Sequence, residues 1–229
     1  MTTFNQIKGA IFDLDGVITD TARFHTQAWR QTADQVGVSW DDELQESLKG
    51  IGRMEALELI LKHGHLEQNF TQGEKERMAT EKNQHYLELV DTLTPADILP
   101  GMQTLLDNLS QKGYRIALAS ASKNAPRVLK NLGLTAYFPN IVDPATLTHG
   151  KPDPEIFIKA AASINLPPAA CMGFEDAAAG VAGIKAADEV AIGIGDKCEL
   201  RAADVVFTQT QDVTLANIQL AMNRRDFHA

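Results

Sequence analysis

The sequence predicts an α/β fold in which a parallel, Rossmann-like sheet forms the core and a helical cap domain is inserted into it. Short, continuous apolar runs recur at wide intervals, as in strands that are buried on both faces of a parallel sheet. The five runs are Gly9–Asp13, Ile116–Ser120, Ala170–Phe174, Val190–Ile194 and Asp204–Phe207. Amphipathic segments of helix length separate most of these runs, and such alternation is typical of α/β sheets. These segments cover residues 101–113, 124–132, 153–164 and 176–187.

One long interval breaks this alternation. Between about Thr21 and Thr94 there is no strand-like run, and the apolar residues follow helical spacing, as in Phe24, Ala28 and Trp29. We therefore predict a helical cap domain over residues 21–94, inserted directly after the first strand. The α/β core is predicted over residues 1–20 and 95–229.

The bulk composition argues against several classes of function. The 229 residues include 30 acidic and 21 basic side chains, a formal net charge of −9, without a local run of Lys or Arg. The electrostatic field of a chain with this net negative charge repels nucleic acid and anionic lipid, so neither is expected as a partner. We see no basic and apolar leader and no run near the about 20 apolar residues of a membrane span. With Cys171 and Cys198 too few for a disulfide framework, we expect a cytoplasmic protein that acts on a small molecule.

Two carboxylates follow the first predicted strand directly. Asp13 and Asp15 are two residues apart, and on extended backbone such side chains point to the same side. Crowded like charges are unfavourable unless a cation is present or one carboxyl is protonated. A carboxylate beside Mg²⁺ can attack phosphorus, and a protonated neighbour can serve as general acid and base. Asp and Gly are also ordinary turn residues, so helix capping explains this motif about as well when it is taken alone.

Other polar residues follow the later predicted strands, at the edge where parallel sheets bind their ligands. Ser120 and the amides after it could bind an anion. Lys151 precedes a helix start predicted at Asp153 and could neutralise a phosphate there. Glu175 and Asp176 offer the oxygen ligands that Mg²⁺ prefers. Taken singly, a turn serine, a solvated lysine and a capping aspartate are simpler interpretations.

Taken together and in this order, the four pieces resemble the signature of the haloacid dehalogenase superfamily. That signature is an acidic D-x-D strand end, followed by a Ser or Thr, a Lys and a carboxylate pair. Within the superfamily the chain is similar to the β-phosphoglucomutase family over nearly its whole length, up to about Gly195. The most specific matches are residues 12–22, His25, residues 28–29, 48–50, Arg53, residues 82–83 and residues 117–124.

The resemblance implies Mg²⁺-dependent phosphoryl transfer between C1 and C6 of a hexose phosphate. It implies that Asp13 is the nucleophile and that Asp15 is the general acid and base. One Mg²⁺ would be held by Asp13, by the backbone carbonyl of Asp15, and by Glu175 and Asp176, with β-glucose 1,6-bisphosphate as intermediate and activator. The residues implied to bind the substrate and its phosphates are Thr21, His25, Lys49, Gly50, Arg53, Lys82, Ser120, Ala121, Ser122, Lys123, Asn124 and Lys151.

A mutase needs two anion sites, because its bisphosphate intermediate carries a phosphate at each end. By the resemblance, Ser120 and Lys151 hold the transferring phosphoryl group. The second phosphate would lie at Arg53, Ser122, Lys123 and Asn124. Arg suits the planar recognition of phosphate oxygens, although Arg53 could also simply begin a solvated helix. A sugar-phosphate phosphatase on the same scaffold remains the alternative, and the retained carboxylates disfavour a non-catalytic module. We expect a monomer.

Overall fold

The computed structural model describes residues 3–225, so the predicted core boundaries at residues 1 and 229 lie outside the described residues. Its strands are β1 Gly9–Phe12, β2 Arg115–Leu118, β3 Asn140–Ile141, β4 Cys171–Glu175, β5 Val190–Ile194 and β6 Val205–Phe207. Its helices are α1 Ala22–Val36, α2 Asp42–Ser47, α3 Arg53–His63, α4 Gln72–Val90, α5 Met102–Gln111, α6 Ala125–Asn131, α7 Glu155–Ser163, α8 Ala178–Ala186 and α9 Leu215–Arg225. Within residues 3–225, no helix combines the length and the apolar character needed to cross a bilayer.

The six strands found among the described residues form one parallel sheet in the order β3-β2-β1-β4-β5-β6, which confirms the predicted fold class. The strand order reverses on either side of β1, and ligands of such sheets bind in the crevice at the carboxyl ends of the strands near this point. Phe12 at the end of β1 lies opposite Leu118 of β2 and Phe174 of β4. The residues that follow these three positions are therefore brought together.

Packing on both faces fixes β1 in this register. Phe12 stacks on Phe174 with ring centroids 4.3 Å apart and contacts the edge of Phe138 at 5.9 Å. This face carries α5, α6 and α9, whereas Ile11 points to the opposite face, against α7 and α8. Each fully buried Phe or Ile contributes about 1.5–3 kcal/mol. A one-residue slip would exchange Phe12 and Ile11 between two differently shaped faces.

Helices α1 to α4 pack around a further group of buried side chains that includes Trp29, Leu57 and Leu61. Two of these helices also reach the sheet, because Phe24 of α1 and Tyr86 of α4 belong to the cluster that covers Phe12. The helical segment is thus packed on the core rather than tethered beside it. Its separation as a cap over 21–94 stays a prediction.

Three local features differ from the predictions. The strand β3 was not predicted, because its two half-buried residues form no apolar run. The helix α9 was also missed, although Leu215, Ile218 and Met222 have the spacing of a buried helix face. Finally, the N-cap of α7 is Pro154, one residue after the predicted Asp153, although the Asp153 carboxylate still accepts a hydrogen bond from the Glu155 amide at 2.9 Å, as a capping side chain does.

Glu189, just before β5, is buried at 3% exposure, and neither of its carboxylate oxygens has a hydrogen-bond partner among the described residues. Burial raises its pKa from 4.5 to about 9. The folded protein therefore keeps a proton at neutral pH that the unfolded chain releases above about pH 4.5. This contribution to stability is complete below that pH and decreases as the pH rises towards 9.

We expect the free energy of unfolding to fall between pH 6 and 9, by on the order of 1 kcal/mol per pH unit from this group. Glu189→Gln, which stays neutral, should remove that slope. The measurement is urea unfolding across this pH range, with the exposed Glu81→Gln as control. Equal slopes for the wild type and Glu189→Gln would show that the carboxyl is not protonated in the fold.

Candidate active site

Asp13 leaves the end of β1 and is 4% exposed. Its Oδ1 accepts a hydrogen bond from Lys151 Nζ at 2.6 Å, and the same ammonium donates to Glu175 Oε1. Burial alone would lower the pKa of Lys151, but the carboxylates of Asp13 and Glu175 outweigh it and raise that pKa. Lys151 is therefore a buried cation that joins the ends of β1 and β4.

Glu175 is held at the end of β4 by its second oxygen. Oε2 accepts hydrogen bonds from the amides of Asp176 and Ala177, each at 3.0 Å, so these amides are satisfied before α8 begins. The carboxylate lies against Gly180 of α8, where a Cβ would collide with it. The Glu175 carboxylate can therefore occupy this position only because residue 180 is a glycine.

Asp15 points away from this ion pair and towards the helical segment. Its Oδ1 accepts a hydrogen bond from the hydroxyl of Thr21, and its Oδ2 lies 3.7 Å from His25 Nε2. Burial, and then the charge of Asp13, raise the pKa of Asp15 to about 7, although the Thr21 hydrogen bond and the Lys82 charge oppose the rise. A carboxyl with such a pKa can both give and take a proton near neutral pH.

Lys82 of α4 is buried between aromatic rings. Its Nζ lies 2.8 Å from His25 Nδ1, 4.5 Å from the Trp29 ring centroid and 5.0 Å from that of Tyr86. Burial, and then the charge of Arg53, lower the pKa of Lys82 to about 7. Burial, followed by the charges of Lys82 and Arg53, lowers the pKa of His25 well below its ordinary value, so that the imidazole is neutral.

A cavity of about 580 Å³ lies between the strand ends and helices α1 to α4. The predicted site residues that line it are Asp13, Asp15, His25, Lys49, Gly50, Arg53, Lys82, Ala121, Ser122, Lys123, Asn124 and Asp176. The other predicted residues, namely Thr21, Ser120, Lys151 and Glu175, each hydrogen-bond to one of these. The structure thus brings the whole predicted set together.

Several residues of the site were not assigned from the sequence. Trp29 and Tyr86 flank Lys82, and Asn83 accepts hydrogen bonds from Arg53 and Asn124. A signal for the two aromatic residues was present, since Trp29 is four residues after His25 and Tyr86 four after Lys82, which places each pair on one helix face. The specific match at residues 82–83 includes Asn83, but it assigns no role to this residue.

The site also fits a divalent cation. Asp13, Glu175 and Asp176 each offer an oxygen, and these oxygens lie within 4.8 Å of one another. Burial, followed by the charge of Glu175, raises the pKa of Asp176 well above its ordinary value, as expected of carboxylates crowded without enough positive charge. An all-oxygen set with an excess of negative charge suits Mg²⁺.

Comparisons with known proteins agree with this geometry. A family model described as haloacid dehalogenase-like hydrolase matches residues 7–188. The β-phosphoglucomutase of Bacillus subtilis is 47% identical over 209 residues, which cover 91% of this chain and 92% of that protein. The crystal structure of β-phosphoglucomutase from Clostridium difficile matches with a TM-score of 0.93 and 43% identity, over 96% of this chain and 99% of that one. A phosphorylated carbohydrates phosphatase of Thermotoga maritima is 28% identical over 79% of this chain and 82% of that protein.

The chain therefore belongs to the haloacid dehalogenase-like hydrolase family, as its sequence predicted. Its similarity to two β-phosphoglucomutases, over nearly the full length of all three chains, confirms the predicted enzyme function, that of a β-phosphoglucomutase.

We expect Gly180→Ala to raise the Mg²⁺ concentration needed for half-maximal activity and to destabilise the fold by about 1–3 kcal/mol. The added methyl group must displace the Glu175 carboxylate, which is buried and already bonded to Lys151 and two amides. Mg²⁺ titration of activity and thermal unfolding measure the two effects.

Gly73→Ala in α4 is the matched control, because a Cβ at Gly73 meets no atom within 4 Å. It should leave the Mg²⁺ requirement unchanged and stabilise the helix by at most about 0.5 kcal/mol, because Gly73 lies in the first turn of α4. An unaltered Mg²⁺ requirement in Gly180→Ala would contradict the assigned role of Glu175.

Proposed function

We propose that the enzyme interconverts β-D-glucose 1-phosphate and D-glucose 6-phosphate through an aspartyl phosphate at Asp13. The observation that supports this proposal is that two separate groups of polar side chains meet at one cavity. Asp13, which is bonded to the buried Lys151, lines the cavity at the sheet, and Arg53, Lys123 and Asn124 also line it. A bisphosphate intermediate requires both groups at once.

In the proposed cycle, phosphorylated Asp13 donates its phosphoryl group to the C6 hydroxyl of β-glucose 1-phosphate, and Asp15 takes the hydroxyl proton. The β-glucose 1,6-bisphosphate then reverses its orientation. Its C1 phosphoryl group returns to Asp13 while Asp15 protonates the departing oxygen, which releases glucose 6-phosphate. The pKa of Asp15, raised by burial to about 7, supports both proton transfers.

The residues around Asp13 have distinct parts in this cycle. Mg²⁺ bound by Asp13, Glu175 and Asp176 would supply positive charge opposite the transferring phosphoryl group. Lys151 adds a fixed cation, since both the Asp13 and Glu175 carboxylates keep it charged. We propose that residues 21–94 act as a cap that excludes water, which protects the aspartyl phosphate from hydrolysis.

We further propose that the enzyme works as a monomer in the cytoplasm. The described residues of a single chain supply every predicted site residue, so a second subunit has no part to add. Both cysteines are free, Cys171 buried and Cys198 exposed, as is typical of a reducing compartment.

A sugar-phosphate phosphatase is the second candidate, because a relative named phosphorylated carbohydrates phosphatase matches this chain at lower identity. Such an enzyme uses water as acceptor and needs no second phosphate site. The convergence of Arg53 and Asn124 at the cavity favours the mutase.

With β-glucose 1-phosphate, Mg²⁺ and a trace of β-glucose 1,6-bisphosphate, we expect glucose 6-phosphate to form without release of free phosphate. Asp13→Asn should lower this turnover by at least about 10³-fold, because the amide cannot act as the nucleophile. Coupled assays follow both products, and circular dichroism checks that the variant is folded. Stoichiometric phosphate release by the wild type would support the phosphatase, and near-normal turnover by Asp13→Asn would exclude Asp13 as nucleophile.

Arg53→Ala should lower kcat/KM for β-glucose 1-phosphate by about 10- to 100-fold, since a charged hydrogen bond to the second phosphate is lost. Arg77→Ala removes an arginine from α4 whose side chain is 73% exposed, and it serves as control. A phosphatase would lose little activity with either variant. Equal activities of the two variants would therefore argue against a second phosphate site at Arg53.

A further inference from the structure

Asn83, on helix α4, connects two segments that are distant in the chain. Its Oδ1 accepts a hydrogen bond from Arg53 Nη2 at 2.7 Å and another from Asn124 Nδ2, also at 2.7 Å. Arg53 begins α3, whereas Asn124 directly precedes α6 of the sheet domain. One neutral amide oxygen thus bridges the helical segment and the core.

Both donors belong to the group proposed to bind the second phosphate. Each keeps further N–H groups after bonding Asn83, because a guanidinium has five and a side-chain amide has two. Asn83 therefore orients the two side chains without using up their capacity to bind phosphate oxygens.

The neutrality of Asn83 is equally important. Among the described residues, no carboxylate lies within ion-pair distance of Arg53. An acidic residue at position 83 would orient Arg53 as well, but it would also neutralise the charge that a phosphate needs. An amide supplies the same geometry and leaves the full positive charge available.

We propose that Asn83 is a positioning residue for the second phosphate. It sets Arg53 of the helical segment and Asn124 of the core at a fixed spacing, so that one phosphate can bind both only when the two parts are together. The inference rests on the proposed mutase function, and it adds a residue through which binding of the remote phosphate favours closure over Asp13.

The test compares kcat/KM for β-glucose 1-phosphate with that for acetyl phosphate, which carries one phosphate and no sugar. For Asn83→Ala we expect a loss of about 10-fold with the sugar phosphate, expressed mainly in KM, and a loss several-fold smaller with acetyl phosphate. Asn83→Asp, which keeps the shape but neutralises Arg53, should lose more than Asn83→Ala. In the double variant with Arg53→Ala, the two losses should not add, because Asn83 acts through Arg53.

Asn131→Ala is the matched control. Asn131 of α6 donates to the Val90 carbonyl of α4 at 3.0 Å, so this variant also removes one hydrogen bond between helix and core, but away from the cavity lining. It should leave both kcat/KM values near those of the wild type.

Three results would overturn the inference while the mutase stands. They are an unchanged or lowered KM in Asn83→Ala, equal losses of kcat/KM with β-glucose 1-phosphate and with acetyl phosphate, and full additivity with Arg53→Ala. A lowered KM in particular would mean that the amide oxygen competes with phosphate. Wild-type enzyme that forms no glucose 6-phosphate would instead overturn the proposed function together with this inference.

Discussion

The buried ion pair of Lys151 with Asp13 and Glu175 is the interaction on which the rest of the site depends. Lys151 is 2% exposed, and the two carboxylates are similarly buried at the ends of adjacent strands. Removal of Lys151 would leave both carboxylates buried without their cation, and breaking a buried ion pair in this way costs about 3–5 kcal/mol. The parallel register of β1 and β4, fixed by the stacked Phe12 and Phe174, therefore determines where phosphoryl chemistry can occur.

The two sides of the cavity, one formed by the core and one by the helical segment, differ in electrostatic character. Its core side has more carboxyl groups than Lys151 can balance, as the raised pKa of Asp176 shows. Its helical side crowds Lys82 and Arg53, and burial with this crowding lowers the pKa of Lys82 to about 7. A divalent cation would offset the excess negative charge on the core side, and an anion would offset the crowded positive charge on the helical side. A metal-bound sugar bisphosphate satisfies both conditions together.

The sequence predicts those parts of the site that follow an apolar run. Asp13, Ser120 and Glu175 each end or follow a buried strand, and parallel sheets bring such positions to one edge. Contacts that depend on how two helices are rotated against each other could not be predicted. The bridge from Asn83 to Arg53 and Asn124 spans 30 and 41 residues of sequence and involves ordinary polar side chains, so no local pattern reveals it.

Helix α4 holds the two ends of the cavity in a fixed position relative to each other. Lys82 and Asn83 are consecutive, so their side chains leave the helix about 100° apart. Lys82 faces His25, next to Asp15, while Asn83 faces Arg53 and Asn124. Tyr86 and Val90, fully buried against the cluster around Phe12, fix the rotation of the helix. A turn of α4 about its axis would displace both polar contacts at once. The packing of this one helix therefore fixes the position of Lys82, next to Asp15, relative to that of Asn83 with Arg53 and Asn124.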